Sequence, residues 1–120
     1  MFFRPAFFQR RFSGKHGRFT VSRHLKKHSS HFDLFLETSR KGKLRAFRLE
    51  RWPPEPSDIA RISFPHRRIY LTYSGPLSRG RGTVTVVERG RFLLQHGRIS
   101  LKFGRRVVCG ILRGEEILFL

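Results

Sequence analysis

The chain holds one cysteine, one tryptophan, one methionine and only 8 acidic residues among 120. With Cys109 alone, neither an intramolecular disulfide nor a multi-cysteine zinc cluster can form. The thiol lies in the apolar run Val107-Val108-Cys109, so a buried, inert side chain in a reducing cytoplasm is expected. No apolar run is long enough to span a bilayer. Met1-Phe-Phe-Arg-Pro-Ala-Phe-Phe8 begins like an export signal, but Arg4, Pro5 and Gln9-Arg10-Arg11 interrupt it, and no signal peptide is expected.

The shortage of acids leaves 26 Lys+Arg against 8 Asp+Glu, a formal net charge of +18 with histidine neutral. Such self-repulsion favours a polyanionic partner, and nucleic acid is the natural one. A membrane surface fits less well, because the charges are spread along the chain and not gathered on one amphipathic helix. Arginine outnumbers lysine, which suits phosphate recognition through the guanidinium fork. Solubility alone is the plainer use of such charge.

The length is that of one domain. Residues 1–16 mix Phe with Arg around Pro5 and Gly14 and read as a basic aromatic arm, disordered or loosely docked, before a domain over 17–120. Within it, Arg18–Arg23, His31–Glu37 and Lys43–Leu49 alternate apolar and polar residues, the mark of half-buried strands in a meander. Trp52-Pro-Pro-Glu-Pro-Ser-Asp58 breaks regular structure. Further short strands are predicted at 59–64, 69–73, 83–87, 91–94, 98–103, 107–112 and 117–120, with turns at Gly90, Gly97, Gly104 and Gly114. Short strands at regular spacing with glycine turns predict a mainly β fold, a small antiparallel β-barrel with a sandwich as the alternative. No helix is predicted.

Three stretches bear chemistry. In His31-Phe-Asp33-Leu-Phe35-Leu-Glu37, alternation sends Phe32, Leu34 and Leu36 to one side and an imidazole and a carboxylate to the other. His24, at the end of the preceding strand, can join them in a mixed N/O set suited to Mn²⁺, Zn²⁺ or Fe²⁺. The plainer reading is two surface histidines with Asp33 paired to an arginine; His28 is a rival ligand in the middle of the connection. His66 and Tyr70 form a second pair, able to hydrogen-bond a phosphate or pass a proton, or merely a turn histidine and a half-buried phenol. The loop Gly75–Gly82 carries Arg79 and Arg81 and can cradle phosphate through backbone N–H groups and guanidinium forks, or simply join two strands.

The order of these motifs resembles the 3′-phosphoesterase module of bacterial DNA ligase D, a family also found as small stand-alone proteins. The residues that carry the resemblance are Phe19-Thr-Val-Ser-Arg-His24, His31-Phe-Asp33-Leu-Phe35-Leu-Glu37, His66-Arg-Arg-Ile-Tyr70, Gly75, Gly82-Thr-Val84, Glu88-Arg-Gly90 and the closing strands at 98–103 and 107–112. Together they span roughly residues 17–115. The resemblance implies a manganese-dependent β-barrel, with zinc as the alternative, that removes a 3′-phosphate or a 3′-terminal ribonucleotide from DNA ends in repair or end joining. It implies His24, His31 and Asp33 as metal ligands, His66 at the phosphate and Tyr70 in support. It also implies a ligase or polymerase partner and a cytoplasmic, nucleoid-associated location in a bacterium, with no membrane.

Two departures stand out. The family's phosphate-gripping arginine, two residues after the aspartate, is Phe35 here, so Arg67, Arg68 or Arg79 must replace it from elsewhere if catalysis persists. The link between His24 and His31 is one residue longer than in the family, which a bulge can absorb. A non-catalytic nucleic-acid-binding module on the same fold is therefore the alternative function. A two-histidine, one-carboxylate iron oxygenase leaves the charge unexplained.

Overall fold

In the computed structural model, which describes residues 15–120, the alternation at 18–23 extends into an eleven-residue strand, β1 (Lys15–Leu25). Of the expected arm, residues 1–14 lie outside the described residues, and Lys15 and His16 open β1. β2 (Ser30–Leu36), β3 (Leu44–Leu49) and β4 (Ile59–His66) follow as an antiparallel meander. β5 (Gly75–Pro76), β6 (Thr83–Gln95), β7 (Arg98–Phe103), β8 (Arg106–Arg113) and β9 (Glu116–Phe119) complete the set. β4 pairs with β9 and β6 pairs with β1, which closes an eight-stranded antiparallel barrel with β5 as an added strand on β6. The barrel expected from the sequence is the observed architecture. Among the described residues, no helix is long and apolar enough to cross a membrane.

The inward residues of alternating strands fill the barrel: Phe19 and Val21 of β1, Leu34 and Leu36 of β2, Phe47 and Leu49 of β3, with Phe92, Leu101, Ile117 and Phe119 opposite. Each such side chain contributes roughly 1.5–3 kcal/mol by leaving water. The proline-rich segment after β3 lays Trp52 against Phe19 and Phe103, ring centroids 6.1 and 5.3 Å away. Its indole N–H donates to Glu88 at 3.3 Å, so the indole covers part of the core and keeps a polar partner.

Two predicted elements differ. The strands expected at 83–87 and 91–94 are one continuous strand, and Gly90 is no turn. It sits opposite Phe19 in the β1–β6 register, where a Cβ would fall 2.1 Å from the Lys102 carbonyl oxygen and 2.6 Å from the Phe19 ring. Glycine is there for close approach of backbones. The strand expected at 69–73 is instead a 3₁₀ turn, Arg68–Leu71, closed by Tyr70 N–H donating to Arg67 O at 3.1 Å and Tyr73 N–H to Ile69 O at 3.0 Å. Local bonds win because no sheet edge meets this segment. A second 3₁₀ turn covers Ser78–Gly80.

The 67–82 connection lies over the outer face of β1–β3. There Phe35, Leu44, Ala46 and Leu71 form a second core, with Tyr70 against it. Thr20 on β1 donates to the Leu71 carbonyl at 2.7 Å and fastens the connection to the barrel wall. The face that alternation assigned to the polar residues of β2 is thus covered.

Candidate metal centre and phosphate cleft

His24 and His31 stand directly opposite each other in the β1–β2 register, with Leu25 opposite Ser30. The four residues between the strands turn through Lys26 N–H donating to Ser29 O at 2.8 Å, and the β1–β2 register runs up to this turn without the bulge that the sequence allowed. The two imidazole rings are 4.9 Å apart between centroids, inclined at 68°. Asp33 follows His31 by two residues on the same outer face. One donor atom from each of His24, His31 and Asp33 lies within 4.8 Å of the others.

Two of the three side chains are almost wholly shielded from solvent. His31 and Asp33 are 9% and 4% exposed. The His31 Nε2 is 3.3 Å from a carboxylate oxygen of Asp33, but their alignment makes no hydrogen bond, and Nε2 is buried without a partner. Burial holds the His31 imidazole below its ordinary value of 6.5, an effect that the charges of Arg48 and His24 reinforce and Asp33 opposes. A neutral imidazole is the form that ligates. Nε2 of His24 is 2.8 Å from the carbonyl oxygen of Arg81. A carbonyl only accepts, so Nε2 carries a proton, and in the neutral ring the lone pair is then on Nδ1, the outer-partner arrangement common for metal-binding histidines. The Ser22 hydroxyl, paired with Asp33 across β1–β2, is likewise buried without a partner. Two nitrogens and a carboxylate, one of the nitrogens buried without a partner, fit a first-row divalent cation.

Beside this cluster opens a cleft of about 530 Å³, bordered by His24, Asp33, Phe35, Arg48, Phe64, His66, Arg67, Tyr70 and Arg81 among others. His66 ends β4, and its Nδ1 donates to the Phe64 carbonyl at 2.9 Å, which leaves Nε2 as the other working atom. Its ring is 5.0 Å from that of Phe35, and the rings of Phe35 and Tyr70 stack at 6.0 Å. Phe35, 1% exposed, is thus a wall of the cleft and part of the second core.

The arginines expected to bind phosphate divide. Arg67 and Arg81 border the cleft; Arg67 lies over the Tyr70 ring at 5.9 Å, and Arg81 donates to the Ser78 carbonyl and hydroxyl, both at 3.0 Å. Arg68 does not: it is engaged by Glu37 and by the Ser39 carbonyl. Arg79 does not border it either, and sits in the Ser78–Gly80 turn with φ of 61°. Glu37 also accepts two bonds of 2.9 Å from Arg18, and these guanidinium partners hold its carboxyl down at about 2.

Arg48 is a residue that sequence reasoning missed. On β3 it pairs with Asp33, and so projects to the same outer face beside the cluster. In the sequence it is one more arginine in an alternating strand; only the β2–β3 register brings it to the site.

Compared with known proteins, the chain matches no family model and no curated protein.

Proposed function

We propose that this chain is a divalent-cation-dependent phosphoesterase acting on the 3′ ends of DNA, removing a 3′-phosphate or a 3′-terminal ribonucleotide in repair or end joining. The observation that carries the reading is the shared cleft: a two-histidine, one-carboxylate cluster on one side, with His31 and Asp33 buried and His24 half-buried, and Arg48, Arg67, Arg81 and His66 around it. The motif order that resembles the ligase D module supports it from the sequence. Manganese is the favoured cation and zinc the alternative. The reading puts the protein with the bacterial nucleoid, alongside a ligase or polymerase.

His24 through Nδ1, His31 through Nε2 and the Asp33 carboxylate would hold the cation. Bound there, it supplies positive charge on a phosphoryl oxygen and lowers the pKa of water. The chain's own groups do the rest. Arg48, Arg67 and Arg81 neutralise and orient the phosphate, replacing the arginine whose position Phe35 occupies. Hydrolysis joins a water oxygen to phosphorus, the water giving up a proton to solvent, and breaks the bond to the 3′ oxygen, which takes a proton. His66 donates it from Nε2 when protonated, its Nδ1 proton being tied to the Phe64 carbonyl. Tyr70 keeps the Phe35 and His66 rings in place.

The packing of Phe35 favours a second reading, a non-catalytic module that grips nucleic-acid ends. The test is a primer–template ending in a 3′-phosphate, incubated with protein and Mn²⁺. Phosphate release that a His31→Ala/Asp33→Ala variant lacks supports the enzyme. No release, or equal release from the variant, leaves the binding module, whose affinity falls steeply with salt and ignores chelator.

A further inference from the structure

Phe64 is the most exposed large apolar residue among those described, at 76%. Its ring lies parallel to the His66 imidazole, 6° apart in plane with centroids at 5.1 Å. The His66 Nδ1 bond to the Phe64 carbonyl and the fixed φ of Pro65 set the geometry of the three residues. Behind His66 stand Phe35 at 5.0 Å and Tyr70 at 5.6 Å, so the imidazole is itself backed by rings. Most of the Phe64 side chain meets solvent, and among the described residues no other ring lies against it.

Arg48, Arg67 and Arg81 border the same cleft. A flat apolar face and guanidinium groups are presented together, and an unpaired nucleotide has the matching pair: a π face and a phosphate one sugar away. A base inside a duplex does not offer its face. A protein or lipid partner calls for a wider apolar surface than one ring among arginines.

We propose that the cleft takes the unpaired terminal nucleotide of a DNA strand, with its base stacked on the outer face of Phe64 and its phosphate held by Arg48, Arg67 and Arg81. This rests on the reading of the cleft as a site for a 3′-end phosphate and specifies the end: frayed or overhanging, not blunt.

Fluorescence anisotropy with the full chain, in EDTA at low salt, tests it. Two duplexes with short 3′ overhangs are compared, one intact and one abasic at the last nucleotide, so the phosphate count is the same. Wild type is expected to prefer the intact overhang by roughly ten-fold. Phe64→Trp keeps that preference, and Phe64→Ala abolishes it while binding the abasic DNA as wild type does. Equal affinity of wild type for the two DNAs, or a preference that Phe64→Ala leaves unchanged, overturns the proposal. With chelator present and no turnover read, failure of the phosphoesterase assay leaves this result standing, and failure here leaves that assay untouched.

Discussion

Asp33 and Arg48 face each other across the β2–β3 register, which sets an anion of the donor cluster beside a guanidinium-bearing side chain. Two residues along the same ladder, Phe35 faces Ala46. An arginine at position 35 would sit in the second core beneath the 67–82 connection. Phenylalanine fills that space, and the charge stands on the neighbouring strand. Arg48, opposite Asp33, is the guanidinium that this ladder brings to the cluster.

Replacing Arg48 by Gln should lower phosphate release by roughly 10²-fold, the usual loss when one preorganised donor to a reacting oxygen is removed. It should also raise the His31 pKa, because the Arg48 charge helps to depress it. Histidine NMR titration of the cation-free protein reads this. The wild-type His31 midpoint should lie below 6.5. Its neutral, buried form then stabilises the fold above pH 6.5, and that stability fades as pH falls through the lower folded-state value.

His31→Ala and Asp33→Ala should each weaken Mn²⁺ binding by ten-fold or more, since even losing a ligand's outer partner costs about that much. Calorimetric titration gives the affinity. In a thermal melt, added Mn²⁺ should stabilise wild type and leave the double variant unmoved.

Phe35→Ala should destabilise the fold by about 3–5 kcal/mol, the range for deleting a buried aromatic ring. Urea unfolding measures this. A much smaller loss would mean that the second core contributes little to stability.

Glu37 accepts from both Arg18 and Arg68, and its carboxyl is held near 2. Its folded-state value is depressed, so its contribution is complete above the ordinary value of 4.5 and disappears as pH falls toward 2. Glu37→Gln should be less stable than wild type at neutral pH, and the gap should close across that acid window. Paired urea melts at stepped pH follow it.

Gly82 has φ of 94°, and a Cβ there would fall 2.1 Å from the Leu25 carbonyl oxygen. Gly82→Ala should cost roughly 1–3 kcal/mol in backbone strain and lift the connection away from β1. Hydrogen exchange should then speed at the Leu77 amide, which donates to Gly82 O.

The barrel was legible because alternation over 18–23, 31–37, 43–49 and 98–103 is long enough to fix a period of two. What escaped were contacts between elements. Gly90 looks like a turn beside Arg89, and only the nearness of Lys102 reveals a mid-strand glycine. The alternation at 69–73 is as compatible with one 3₁₀ turn as with a strand, and the absence of a pairing edge decides it. His24, His31 and Asp33 were readable from two adjacent strands. Arg48 was not, because one position of slip between β2 and β3 would send it to the other face. Phe35 stood out as an apolar residue on a polar face, and the connection above it supplies the reason.

β6 runs beyond the ring. Between Thr85 and Gly90 its ladder partner is β1 alone, with Val86 N–H capped by the Ser74 hydroxyl at 2.9 Å. Past Arg91 it is flanked on both sides, by β1 and β7. The half that adjoins the cleft thus closes the barrel against β1 alone, whereas the far half is held from both sides. A graft that swaps residues 67–82 for another loop would alter what the molecule grasps, but it would have to bring its own lid for Phe35, Leu44 and Ala46 in place of Leu71.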